Sequence, residues 1–599
     1  MKKILTTIIV LLLAAVIIVP RFYHLGSQPP GLHIDEVSFA ADAKAIAETG
    51  RDTWNEPWPV VFKAFGEWKA PGLTYSMALW SKILGRMDTT VARLPSAIAG
   101  LTIILLLALT LRTILPTTSF VPIGFTVFAL AFSPWHFDMS RIFYEAFSAL
   151  AIFSISLYFL TRITLSQVYN AKLWLLATIF AAMSGYFYAS IRLVVILSLI
   201  VFVVIQTWSF RTKLKAALVA MLVIATLGAG WIGDLFSERG LNRLTYYENK
   251  AAYGASLEID EKRQFCYLSF DRNEKLSKLC YLIWNKPVEK ITTASKTYLT
   301  YLGTDYLFLK AESEYGFDSQ YGAFLYPLLP LYLIGLFVAL SGFAGTIGFW
   351  LKHKLSQVTP VDRFYAAIVL VTLISLSPSA LAGNINMRMS LISLYIVALL
   401  VGIGAHLTYT YLSTHLNKLL LSLVAFLYLG LLLFYIIQSL SHYFLVFTRS
   451  NDLMWSSDAP AIFAYVKTVS PQYDRIVDTE LHGPLAPYFY GDIKTEDVQS
   501  GAYSPPDALG FTYLIQAGKY ELKHIGLRDL ACEKLSHNDK RRTLVITSPV
   551  EEFASSRKYA GKSWNGALLL HEVYDLDDII ASEIRGNVNY ITRCGPKSL

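Results

Sequence analysis

Apolar runs of about 17 to 23 residues recur along the first three quarters of the chain, and about 20 such residues carry a helix across the hydrocarbon core of a bilayer. In lipid, a backbone satisfies its polar groups only inside a helix or a closed barrel. The runs here are continuous rather than alternating, which selects helices. They fall at 4–20, 94–114, 120–136, 145–161, 172–188, 193–209, 216–233, 322–344, 364–382, 389–408 and 418–439. Eleven spans are therefore expected, and the expected fold class is a polytopic α-helical membrane protein. Charge agrees: only 16% of the 599 residues are Asp, Glu, Lys or Arg, against about 25% in soluble domains.

Lys2 and Lys3 precede the first run, and no small-residue cleavage site follows it. That pattern predicts an uncleaved first span. Basic residues orient membrane helices toward the cytoplasm. With the N-terminus inside, Arg112, Arg162, Lys172, Arg211, Lys213, Lys215, Lys352, Lys354 and Lys418 all fall on the cytoplasmic side. An odd number of spans then leaves the C-terminus outside a plasma membrane. The net charge of +8 is accounted for by such loops and by lipid phosphates. No nucleic-acid motif is present, so no nucleic-acid partner is expected. The cysteines form two local pairs, Cys266 with Cys280 and Cys532 with Cys594. Outside the cytoplasm these would allow two disulfides; reduced, unrelated thiols are the equal alternative.

Four polar regions then face outside: 21–93, 133–141, 234–320 and 377–389. Within the first, Val37 to Thr49 has helical apolar spacing but is too short to span, and is expected along the membrane surface. Apolar density drops after Ser441, giving a boundary between a membrane domain at 1–440 and an extracytoplasmic α/β domain at 441–599. In that domain Pro460–Thr468 and Val550–Ser556 are expected as helices. Arg475–Asp478, Thr543–Thr547 and Ala567–His571 are expected as strands.

Charges at the hydrocarbon edge are costly unless solvated or paired, so they are the candidates for chemistry. Asp35 and Glu36 follow the turn Gln28-Pro29-Pro30-Gly31 and head a helix, where they could equally be capping acids. Glu67 and Lys69 could form a plain salt bridge. Arg141 and Glu145 could be an i, i+4 couple. His33 and His136 fit polar interface residues better than metal ligands. Together with Arg192 and Arg388, all the charged candidates fall on one expected membrane face. Acids and cations gathered there suit a reaction on a lipid phosphate, with cations neutralising the phosphate and one acid as base.

Several motifs sharpen this reading. An Asp-Glu follows the first span. Glu67-x-Lys69-x-Pro71 precedes Tyr75 and Trp80. Ala92-Arg93-Leu94-Pro95-Ser96-Ala97-Ile98-Ala99-Gly100 leads into the second span. Ser133-Pro134 runs through Arg141 to Glu145, and Asn386-Met387-Arg388 comes late. In these features residues 1–440 resemble the GT-C membrane glycosyltransferases, in particular the protein O-mannosyltransferase and lipid A aminoarabinose transferase superfamily. The resemblance implies transfer of a monosaccharide from a polyprenyl-phosphate carrier to an acceptor hydroxyl, outside the cytoplasm and with inversion. It implies Asp35 as base; on the residues themselves, Glu36 joins it at the catalytic site and, with Glu67 and Glu145, would orient the acceptor or a metal. Glu67 and Lys69 would lie near the carrier phosphate, Glu145 at a position often acidic, and Arg388 on the phosphate. Arg141 and Arg192 would add phosphate contacts. Ala70-Pro71 replaces two prolines of the aminoarabinose enzymes, and Met389 follows Arg388 where an aromatic is common. These departures bear on the substrate rather than on the class.

The chemistry is consistent with a single acid as base. The phosphate leaves the sugar as a stable anion, so one carboxylate acting on the acceptor suffices, unlike the paired carboxylates of glycoside hydrolases. A divalent metal bridging Glu36 or Glu67 to phosphate is compatible with the acids, though no ligand spacing compels one. The expected partners are the lipid-linked donor, membrane lipids, and a lipid, protein or polysaccharide acceptor. Three other readings stay open on the residues alone: oligosaccharide transfer, transport of a lipid-linked sugar, and a non-catalytic assembly partner.

Overall fold

The computed structural model describes residues 2–66, 68–115, 120–237, 258–270, 274–310, 320–352, 354–383, 385–450, 452–479, 483–507, 511–563, 566 and 568–586. The chain divides into two compact units that are not collinear with the sequence. One comprises 1–21 and 96–440, the other 22–95 and 441–599.

The first unit is helical. Among the described residues, six helices are long and apolar enough to cross a membrane: Thr89–Ile114, Glu145–Ser166, Tyr326–Leu351, Pro360–Ala382, Met387–His415 and Lys418–Ser450. Phe210–Leu227 and Ala229–Phe236, bent by 77°, make a seventh if they count as one span. The remaining expected runs hold shorter apolar helices at Leu11–Phe22, Val121–Ala131, Ala171–Ser184 and Ile191–Val204. The run expected at 120–136 is broken, since Val121–Ala131 stops and a separate short helix, Pro134–Met139, follows. Pro134 opens that second helix at its first turn, a position that needs no backbone donor. The region 234–320, expected as a loop, contains the helices Glu274–Ile283 and Lys286–Leu302. It also carries a disulfide between Cys266 and Cys280. Cys594 lies outside the described residues.

Small residues set the helix packing. On Leu329–Leu351, Gly335 meets the Leu400 carbonyl; on Met387–His415, Gly404 meets the Leu331 carbonyl. A Cβ at either position would collide with backbone. Close approach of this kind lets van der Waals contact hold helices together where lipid offers no hydrophobic drive.

The second unit is mixed. The hairpin β1 (Phe62–Lys63) and β2 (Trp68–Lys69) is antiparallel. A seven-stranded sheet is built from β3 (Arg475–Asp478), β4 (Ala502–Tyr503), β5 (Leu514–Ala517), β6 (Tyr520–Leu522), β7 (Thr543–Thr547), β8 (Arg557–Lys562) and β9 (Leu569–Asp575). Its order is β4-β5-β6-β3-β7-β9-β8, with β3 parallel to β6 and β7 and the outer pairs antiparallel. Central β3 and β7 are buried along their whole length. On one face Val477, Val545 and Tyr574 pack with Leu527, Leu530, Ile579 and Ile580 of the helices Leu527–Ser536 and Leu576–Gly586. The helix Ala459–Val469 buries Ile462, Phe463 and Val466. β3 and β7 match the expected strands. The third expected strand is shifted to begin at Leu569, and Glu551–Ser556 is a 3-10 helix.

Also in this unit, the helix Ile34–Thr49 begins three residues earlier than expected and buries ten residues. Its apolar positions are covered by protein rather than left open. Its alanines suit both helix propensity and close packing, and the pattern that suggested a lipid-facing stripe serves the protein interior.

Candidate active site

The helix Ile34–Thr49 is capped with care at its first turn. His33 Nδ1 accepts from the Asp35 N–H at 3.2 Å, and Glu36 Oε2 accepts from the His33 N–H at 3.0 Å. Two acids in the first turn complement the helix dipole. At the other end Gly50 takes φ 73° and donates to the Ile46 carbonyl, a left-handed cap that glycine adopts without strain.

Adjacent in sequence, Asp35 and Glu36 differ in surroundings. Glu36 is buried, and Arg93 grips both its oxygens, Nε to Oε1 and Nη2 to Oε2, each at 3.1 Å. Arg93 also donates to the carbonyls of Leu25 (3.2 Å), Pro29 (2.7 Å) and Gly31 (2.6 Å). This fork fixes the turn before the helix and the helix start as one piece. Asp35, by contrast, keeps 47% of its side chain exposed. It is a carboxylate open to a reactant on a backbone that its neighbour holds still.

Lys69 reaches the same helix from β2. Its Nζ lies 2.6 Å from Asp42 Oδ2, 2.8 Å from Ser38 Oγ and 4.5 Å from the Phe39 ring centre. The spacing 35, 38, 42 puts Asp35, Ser38 and Asp42 on one side of the helix. Lys69 thus pairs with Asp42, and Glu67 lies outside the described residues. Asp42 Oδ1 in turn accepts from Thr53 N (3.1 Å) and Thr53 Oγ1 (2.7 Å). Nearby, burial first and the Asp42 charge second push the Asp52 carboxyl up to about 6. The motif Glu67-x-Lys69-x-Pro71 has a local rationale. Lys69 ends a strand, and Pro71 opens the next helix, Pro71–Leu84, at its first position.

The remaining candidates belong to the first unit. Arg141 is fully buried and donates to the Pro20 carbonyl. It lies in the turn before Glu145–Ser166, whose first residue is Glu145. The two are therefore not an i, i+4 couple on one helix. Arg192 is committed to Asp234 at 2.8 Å and to the Gly185 carbonyl at 3.1 Å. Arg388 stands in the first turn of Met387–His415, where Asn386 caps the helix by accepting from the Arg388 N–H at 2.9 Å. It lines a small cavity of about 20 Å³ with Tyr188, Ser190, Ser375 and Pro378. An arginine and a helix N-terminus at one cavity wall form a setting that favours an anion.

Chemically, Asp35 can take a proton and Arg388 can hold an anionic group. Glu36 does not fit as a metal ligand, since both its oxygens accept from Arg93. Among the described residues no three His, Cys, Asp or Glu side chains group as a metal site would need. Sequence reasoning passed over Arg93 and Asp42 as candidates. Arg93 had a signal, a cation inside an otherwise apolar helix start. Asp42 had one too, an acid two turns after Asp35.

No family model matches this chain, and no curated protein does. Solved structures do align with it. ArnT from Cupriavidus metallidurans in the apo state is 13% identical, with 95% of this chain and 98% of that one covered and a TM-score of 0.40. The same protein bound to undecaprenyl phosphate gives 11% identity, the same coverage and 0.39. The apo oligosaccharyltransferase of Archaeoglobus fulgidus gives 10% identity, 90% and 69% coverage, and 0.42.

Proposed function

We propose that this chain is an integral-membrane glycosyltransferase. It moves one sugar from a polyprenyl-phosphate carrier to an acceptor hydroxyl, with inversion, on the extracytoplasmic side. The observation that carries the reading is the division of labour in Asp35-Glu36: one acid is exposed, the other is locked by Arg93. A base must be open to its substrate and rigidly placed, and this pair provides both.

In this reading the Asp35 carboxylate takes the acceptor proton as the hydroxyl oxygen attacks the anomeric carbon. The bond from that carbon to the phosphate oxygen breaks, and the carrier leaves as a phosphate monoester. Glu36 and Arg93 position the base. The Lys69–Asp42 pair holds the hairpin on the helix. Arg388 is the candidate contact for the carrier phosphate. Glu67 and Glu145 orient the acceptor, Arg141 holds the end of the first helix through the Pro20 carbonyl, and Arg192 holds the Gly185 carbonyl and Asp234. The shorter apolar helices complete eleven crossings, and the C-terminal α/β region lies outside. A disulfide in the 234–320 region fits an oxidising compartment on that face.

The test supplies purified protein in lipid with a polyprenyl-phosphate hexose and, separately, a carrier bearing an oligosaccharide. Chromatography then sizes what is lost. Loss of a single hexose, with the opposite anomer in the product, is expected. Consumption of the oligosaccharide carrier alone would overturn the monosaccharide reading.

A further inference from the structure

We propose that an anionic phospholipid binds at the end of the first unit opposite Arg388. Its phosphate sits on the loop 205–209 beside Lys213, and one acyl chain lies in the groove between Ile191–Val204 and Phe210–Leu227. This is independent of the reaction assigned above. Residues 146–233 contain no Asp or Glu, and Arg162, Lys172, Arg211, Lys213 and Lys215 all fall toward this end. The proposed orientation makes it the cytoplasmic leaflet. The groove has a volume of about 440 Å³ and is walled by apolar side chains, among them Leu199, Ile200, Val203, Ala220, Met221 and Ile224. Lys213 starts the groove face of its helix: Ala217 follows one turn later, and 220, 221 and 224 continue the row. The Lys213 Nζ donates at 2.9 Å to the carbonyl of Val204, which itself lines the groove.

Three features at the groove's end select an anion. Ser209 caps Phe210–Leu227 by accepting from the Thr212 N–H at 3.3 Å, and a helix N-terminus attracts negative charge. Arg211 and Lys215 are exposed in the first two turns of that helix. Arg363 is buried behind the loop, where its Nη1 donates to Thr207 Oγ1 at 3.4 Å. Among the described residues its Nε and Nη2 have no acceptor and its guanidinium forms no ion pair. Lys213 lies within electrostatic range of it. Asp362, next to it in sequence, accepts from Thr359 Oγ1 at 2.7 Å and faces Gly342 of Leu329–Leu351. A buried cation without a counter-charge is costly, and a phosphate on the adjoining loop supplies one. An apolar groove that runs into a cationic end fits a lipid better than a soluble anion. The carrier phosphate belongs to the other end: Ile191, which opens the same 14-residue helix, lines the Arg388 cavity, about 20 Å from Val204.

The experiment titrates the full-length protein in detergent with phosphatidylglycerol or with phosphatidylcholine of the same acyl chains, and counts bound lipid by native mass spectrometry. Phosphatidylglycerol is expected to bind at least about fivefold more tightly, and Lys213→Gln to remove most of that preference, since one basic residue at a lipid phosphate contributes about fivefold. Ala217→Phe fills the groove from an exposed position and is expected to weaken phosphatidylglycerol with the basic residues intact. Lys352→Gln with Lys354→Gln removes two exposed charges from the same membrane end and is expected to leave the preference unchanged. Equal binding of the two lipids would overturn the proposal, as would a loss in the Lys352 and Lys354 double variant as large as that in Lys213→Gln. So would unchanged phosphatidylglycerol binding in Ala217→Phe, which would leave a headgroup contact without the groove. Displacement of phosphatidylglycerol by an equal concentration of polyprenyl phosphate would overturn it too, by making the carrier the occupant. Circular dichroism and size exclusion confirm that each variant is folded before it is read.

Discussion

Asp35 and Glu36 show what one residue's surroundings decide. Sequence places two acids side by side and cannot divide their roles, because the division depends on Arg93, 57 positions away. The stability consequence is asymmetric. Glu36→Ala strands a buried guanidinium and is expected to cost about 3–5 kcal/mol, as broken buried ion pairs do. Asp35→Asn removes an exposed charge and is expected to change stability by well under about 1 kcal/mol. Thermal unfolding of both variants in lipid checks the contrast; equal losses would refute it. Asp52 gives a pH signature. Its folded-state value of about 6 lies above the ordinary carboxyl range. Between that ordinary range and about 6, the folded state holds a proton that the unfolded chain has released, so stability falls as pH rises through this window. Asp52→Asn is expected to raise the unfolding temperature at neutral pH and to leave it nearly unchanged near pH 4. A gain independent of pH would show that charge is not the cause.

Elements were legible where a single physical pattern dominated. β7 reads as a strand because Thr-Leu-Val-Ile-Thr is a continuous run rich in β-formers, and β3 reads as one through Ile476 and Val477 between two charged ends. β4, β5 and β6 are short, and segments such as Leu514-Ile-Gln-Ala and Tyr520-Glu-Leu carry too few residues for alternation to emerge. Alanine spacing in Ile34–Thr49 resembles a lipid-facing stripe, and only the packing reveals that those alanines are covered. Helix contacts in the first unit depend on glycine. Gly404→Leu is expected to force Met387–His415 away from Leu329–Leu351 and to lower the unfolding temperature by several degrees, with reduced yield of folded protein. Leu at Gly430, where a Cβ meets open space, is the control and should be tolerated.

For the whole molecule, the sequence conveys a membrane chain with a trailing α/β region. It does not convey that residues 22–95 cluster with 441–599 as one compact unit. That grouping rests on contacts across more than 400 positions, such as Lys44 donating to the Tyr488 carbonyl and Trp54 stacking on Tyr503. No local pattern encodes such pairings. Orientation has its own test. In intact cells, an impermeant maleimide should reach Cys266 and Cys280 only after an impermeant reductant. Labelling that requires permeabilised cells would invert the proposed topology. The central claim is that Asp35 is the base of a glycosyl transfer. The most direct measurement follows loss of labelled hexose from a polyprenyl-phosphate carrier with wild type and Asp35→Asn, both verified as folded. The account predicts consumption by wild type and a rate lower by about 10²–10⁴ for the variant, the usual contribution of a general base. Equal rates for the two proteins would contradict it.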